Sequence, residues 1–70
     1  MDVILVQERI LEFCQTPHSV VEIAEMLEMT DKNWVREKYI KPLIGSKLTL
    51  TIPDRPNSRY QKYQTIVESR

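Results

Sequence analysis

Between Tyr39 and Tyr63 the chain reads YIKPLIGSKLTLTIPDRPNSRYQKY, and the punctuation of this stretch leaves few folds open. Pro42 removes a backbone donor and crowds the residue before it, so a helix arriving through Tyr39 and Ile40 should stop or kink near 40–42 before a last turn through Ile44. Gly45, the one glycine of the sequence, supplies the left-handed residue on which helices end. Leu48, Leu50 and Ile52 then alternate with Thr49 and Thr51, the period of two expected of a half-buried strand. Pro53, Asp54, Arg55, Pro56, Asn57 and Ser58 are too rich in turn formers to continue it. The chain returns from Tyr60 to Val67 with Tyr63, Thr65 and Val67 on one face. The result is an antiparallel hairpin, and since a lone hairpin is at best marginally stable in water, its apolar face must lie on other elements.

Those elements precede it. Val3, Val6, Ile10 and Phe13 recur at spacings of three and four, with Ile4, Leu11 and Cys14 beside them, which predicts a core-facing helix from Asp2, its cap, to Cys14. Thr16, Pro17 and His18 break that pattern as a turn or short extended link. Ser19 followed three residues later by Glu22 is a capping box, so a second helix starts at Val20 and presents Val20, Ile23, Ala24 and Leu27 to the core. Met29 to Asp31 form the next turn, with Thr30 or Asp31 as cap of a third helix carrying Val35, Tyr39 and Leu43 at intervals of four, flanked by Trp34 and Ile40. Two helices joined by about three residues have the spacing of a helix-turn-helix. The predicted fold is therefore α+β: a winged helix-turn-helix, three helices followed by a two-stranded antiparallel β-hairpin wing.

Seventy residues form one small domain, because a chain of this size buries only about 60% of the surface its unfolded form exposes. The expected domain is residues 1–70, and no apolar run approaches the roughly 20 residues that span a bilayer. MDVILVQERIL lacks the basic start and cleavage site of a signal peptide, which predicts a cytoplasmic location. Cys14 is the one cysteine, so neither a disulfide framework nor a cysteine zinc cluster braces the fold, and a buried inert thiol is the reading that fits its place on the first helix. His18 has no second ligand or base at a useful spacing and is read as a solvated or capping histidine. With one glycine there is no phosphate-cradling loop. Neither catalysis, nor a cofactor, nor a metal is expected.

Net charge is zero, but the signs are segregated. Residues 1–30 hold six acids against Arg9, a net of −5, and residues 31–70 hold nine bases against Asp31, Glu37, Asp54 and Glu68, a net of +5. Such a domain can present a basic face to a polyanion while staying neutral overall.

Three segments carry a family resemblance: Ser19-x-x-Glu22-Ile23, Arg36-Glu37-x-Tyr39-Ile40-x-Pro42-Leu43-Ile44, and Leu50-Thr51-Ile52-Pro53-Asp54-x-Pro56-Asn57-Ser58-Arg59-x-Gln61-Lys62-Tyr63. Over nearly the whole chain they resemble the C-terminal winged-helix domain of bacterial Fic-like proteins, named for filamentation induced by cAMP. The same domain closes RecG-related predicted transcriptional regulators with a Schlafen-type, divergent ATP-binding N-terminal domain. The resemblance implies the C-terminal part of a larger protein whose chemistry sits elsewhere. The sequence contains no HPFxxGNG-type motif, so no adenylyl-transfer activity is carried over.

The expected function is double-stranded DNA binding. Lys32, Arg36 and Lys41 are the basic candidates on the third helix, and Asn33 is the candidate base reader because its amide can pair in two places with adenine. Arg55 and Arg59 bracket the wing tip and Lys62 lies at its base, where they can meet phosphates. Glu37 near the same face opposes this. The alternative is a docking module for domains of the parent protein or for self-association, with Trp34, Met26 and Met29 as contacts; as structure, these three complete a thin core, the expectation for Trp34. Tyr60 and Tyr63 can stack on bases, but Tyr63 is expected to pack inward. Pro53 and Pro56 stiffen the wing loop and hold its arginines.

Overall fold

A computed structural model describes residues 2–66. Asp2 caps the first helix, α1 (Val3–Phe13), its carboxylate accepting from the Ile4 N–H at 2.9 Å. Val6, Ile10 and Cys14, one residue per turn, are wholly buried, and Leu11 and Phe13 pack beside them. Val3 was expected in this stripe but is 38% exposed, and Ile4 and Leu5 are exposed at 66% and 59%. Among the described residues, the first turn of α1 is covered less than the turns that follow it.

The capping box forms as expected. The Glu22 N–H donates to Ser19 Oγ at 3.2 Å, and the Ser19 N–H donates to Glu22 Oε1 at 2.9 Å. It opens α2 (Val20–Met26), which buries Ile23 and Ala24, with Leu27 following at its C-cap. The helix closes in a Schellman arrangement: the Met29 N–H donates to the Ala24 carbonyl at 2.9 Å and the Glu28 N–H to the Glu25 carbonyl at 3.0 Å. Glu28 takes the left-handed conformation this requires, φ 58°, at a position where glycine is usual.

Asp31 is the cap of the third helical stretch, accepting from the Trp34 N–H at 3.0 Å. This stretch, α3 (32–43), changes character along its length: α-helical over Lys32–Val35, π-helical over Arg36–Ile40 and 3-10 over Lys41–Leu43. The kink expected at 40–42 therefore begins earlier. Pro42 cannot donate to the carbonyl four residues back, and the preceding turn widens, the Lys41 N–H reaching back five residues to the Arg36 carbonyl. Val35, Tyr39, Ile40 and Leu43 are buried, but Trp34, expected in the core, is 47% exposed. Those four residues already fill the buried side, and Trp34 meets Tyr39 edge-on, with ring centroids 5.4 Å apart.

Gly45 turns the chain at φ 89° into β1 (Leu48–Leu50), which pairs antiparallel with β2 (Tyr63–Thr65), Leu50 opposite Tyr63. Both strands are shorter than the alternation suggested: Ile52 belongs to the loop, the return begins at Tyr63 rather than Tyr60, and Val67 lies outside the described residues. His18 pairs with Tyr63 on the far side of β2, the Tyr63 N–H donating to the His18 carbonyl at 2.8 Å and the His18 N–H to the Tyr63 carbonyl at 3.1 Å. The Thr65 N–H donates to the Cys14 carbonyl at 2.8 Å. β2 is thus flanked on both sides, and the hairpin is bonded to the link between α1 and α2. Three helices followed by this hairpin give the α+β fold expected.

His18 departs from the solvated reading. It is half-buried, its ring stacked on Phe13 at 3.9 Å, and Nδ1 donates to the Thr16 carbonyl at 2.8 Å, which only a protonated nitrogen can do. Among the described residues no helix is long and apolar enough to cross a membrane.

Candidate functional site

The wing returns to meet the start of α2, because β2 runs antiparallel to the link that carries His18. Between the α2 start, the first turns of α3 and the wing lies a cleft of about 190 Å³. Ser19, Val20 and Val21 form one wall, Lys32 and Arg36 another, and Pro56, Asn57, Ser58 and Arg59 the third, with Gln61 and Tyr63 at the sheet. No carboxylate lines it. Cations from two separate elements are therefore held together with no neutralising group between them, and the field in a concave site of one sign is focused outward.

Gln61 sets where the wing wall stands. Its side chain is 4% exposed, and its amide nitrogen donates to the carbonyls of Ile52 and Arg55, while its oxygen accepts from the Ile52 N–H at 2.9 Å. Both N–H donors and the oxygen of one amide are thus engaged across the loop, just past the end of the strand pairing. Ser58 Oγ adds a bond from the Tyr60 N–H at 3.1 Å. Arg59 donates to the Tyr60 hydroxyl at 3.0 Å, its guanidinium 5.0 Å from the Tyr60 ring centre.

Of the seven residues singled out from sequence, Lys32, Arg36 and Arg59 come together at the cleft, and the other four do not line it. Arg55 is exposed on the far part of the wing loop. Lys62, at the wing base, lies toward α2. There Glu22 is held below the usual carboxylate range chiefly by the Ser19 backbone N–H, with smaller contributions from the charges of His18 and Lys62. Lys41 pairs with Glu37 at 3.3 Å, the one ion pair among the described residues. Asn33 is exposed, but its side-chain oxygen accepts from Arg36 Nη2 at 3.0 Å. Bidentate pairing with adenine would use that same oxygen, which has a second lone pair with which to accept.

Three participants went unnoticed in the sequence. Gln61 stands within a motif, but nothing in its spacing announces that a buried amide will tie the loop. Ser19 signalled a cap, and its place in the cleft wall follows only from the strand pairing. Lys38 is exposed on α3 with its ammonium 5.8 Å from the centre of the Trp34 ring. Met26 and Met29, offered as contacts, are partly buried against the core. Tyr63 packs inward as expected, and burial raises its hydroxyl above the ordinary value. No group of three or more histidine, cysteine or acidic side chains is placed to hold a metal ion among the described residues.

Residues 6–65 match the family model described as the C-terminal domain of the Fic-like protein, filamentation induced by cAMP. No curated protein and no solved structure matches the chain.

Proposed function

We propose, starting from the fact that this chain belongs to the family of Fic-like C-terminal domains, that it is a non-catalytic accessory module that binds double-stranded DNA for a larger protein. We place it in the bacterial cytoplasm as a regulatory element of transcription, with the RecG-related regulators as further carriers of the same domain. The observation that carries the reading is the cleft in which Lys32, Arg36 and Arg59 converge without a carboxylate. A phosphate backbone passing there meets bases from the reading helix and the wing at once, which is how a winged helix fixes its register on a duplex. Further support is that, among the described residues, no base of the second half pairs with the acids of α1 and α2.

The test is fluorescence anisotropy with a random-sequence duplex over a salt series. Each phosphate contact contributes roughly 0.9 to the slope of log affinity against log salt. Replacing Lys32, Arg36 and Arg59 together by glutamine is expected to lower that slope by about 2 to 3 while the thermal melt stays within a few degrees. An unchanged slope rejects the cleft as the phosphate site.

A second reading, docking onto a parent domain or a second copy, is favoured by Ile4 and Leu5, exposed on an acidic helix that a polyanion would avoid. It predicts no response to duplex even at low salt.

A further inference from the structure

Tyr63 is only 3% exposed, yet its hydroxyl takes part in no hydrogen bond among the described residues. The group is not sealed in the interior either, since no side-chain nitrogen or oxygen hidden from solvent lacks a partner there. It therefore opens where its residue lines the cleft between α2, α3 and the wing. Burial lifts its ionisation above the ordinary value, so the hydroxyl keeps its proton at neutral pH, and the charge of Arg36 opposes that rise, as a cation near the oxygen does.

A protonated phenol beside a guanidinium is a donor in want of an acceptor. Its neighbours in the cleft add donors of their own. Lys32, Arg36 and Arg59 can only donate, and Ser19 and Ser58 each accept a backbone N–H at Oγ, which leaves their hydroxyl protons without an acceptor among the described residues. The matching ligand is an oxyanion approached by donors from several sides. At about 190 Å³ the cleft is smaller than the roughly 300–1,000 Å³ of sites for drug-sized molecules, so it admits one protruding group rather than a whole nucleotide. Lys32 and Arg59 reach it from exposed positions, whereas Tyr63 is fixed by pairing with Leu50 on one side and His18 on the other and surrenders little freedom on contact. We infer that the Tyr63 hydroxyl donates to one phosphate oxygen of a bound duplex at the sheet side of the cleft, and so fixes the register of the domain on that strand. The inference rests on the proposed duplex binding and names the neutral contact within it.

Anisotropy with the random-sequence duplex over the same salt series separates a neutral contact from a charged one. A hydroxyl releases no counterion, so Tyr63→Phe is expected to weaken binding about tenfold at every salt concentration while keeping the parent slope. Arg36→Gln, by contrast, is expected to lower the slope by about 0.9. The thermal melt of Tyr63→Phe is expected to stay within a few degrees of the parent, because the lost hydroxyl has no partner in the described fold. Equal affinity of Tyr63→Phe and the wild-type protein overturns the inference and leaves duplex binding itself standing. A reduced slope in Tyr63→Phe also overturns it, because the residue then acts through the cations rather than on the phosphate. So does a variant that melts far below the parent, which would mean that the hydroxyl is spent inside the fold. Failure of the wild-type protein to bind the duplex even at low salt is the separate outcome that removes the function on which the inference stands.

Discussion

Cys14 shows how burial decides chemistry at the scale of one side chain. Desolvation first, and the negative charge of Glu22 second, push its thiol from 9.0 up to about 11. The folded protein therefore holds the neutral thiol, and the reactive thiolate is withheld at physiological pH. The expected outcome is no reaction with a disulfide reagent at pH 8 in buffer and one thiol titrated in urea. The folded value lies above the unfolded one, so this contribution to stability is complete below pH 9 and declines as the pH rises toward 11. A Cys14→Ala variant should lose less of its unfolding free energy over that interval than the parent chain does. Gln61 is the opposite case: a buried polar group whose partners are all found, so that it organises the wing rather than weakening the core.

Among the elements, α2 carries a built-in strain. Glu28 stands at φ 58°, where an L-residue costs roughly 1–2 kcal/mol and glycine is tolerated. Glycine also loses more chain entropy on folding, about 0.5–1 kcal/mol relative to alanine. The difference predicts that Glu28→Gly raises stability by about 0.5–1 kcal/mol, read as an increase in the urea midpoint at unchanged slope. At this scale the sequence was most legible where the signal is local. Asp2, the Ser19 and Glu22 pair, Asp31, Pro42 and Gly45 act on neighbours within five residues, and each marks a change in the chain close to where it was announced, Pro42 with its effect spread back over the preceding turn. It was least legible where the partner is remote. Trp34 lies beside an apolar stripe, but whether the ring turns inward depends on how Val35, Tyr39, Ile40 and Leu43 fill the space. The meeting of Arg59 with Lys32 depends on a bridge between His18 and Tyr63 that neither segment encodes alone. Val3 misled for the same reason, since helical periodicity does not say which turns the rest of the protein covers.

For the molecule as a whole, stability rests on a cluster that numbers twelve buried residues among those described, ten from the helices and their caps and two, Leu48 and Tyr63, from the hairpin. A domain of this length has in total about 3.5–10 kcal/mol to lose, at roughly 0.05–0.15 kcal/mol per residue. Ile40, wholly buried in the π segment, makes the clearest test. Ile40→Ala is expected to cost about 2–5 kcal/mol and to leave a substantially unfolded population at 37 °C, seen as lost helical ellipticity. Surface changes at Lys32 or Arg59 carry no such penalty, so recognition and folding can be varied separately.

The wing illustrates that separation. Beyond the last backbone bond between the two strands, from the Thr51 N–H to the Lys62 carbonyl at 3.0 Å, the ends of the loop are gathered by the Gln61 amide through Ile52 and Arg55. The tip between these anchor points has little part in the interior, so its length and wording can be rewritten while the framework persists. In engineering terms the domain is a miniature display scaffold: a library of loops inserted there, with glutamine retained at 61, would arrive already shaped for selection against new targets.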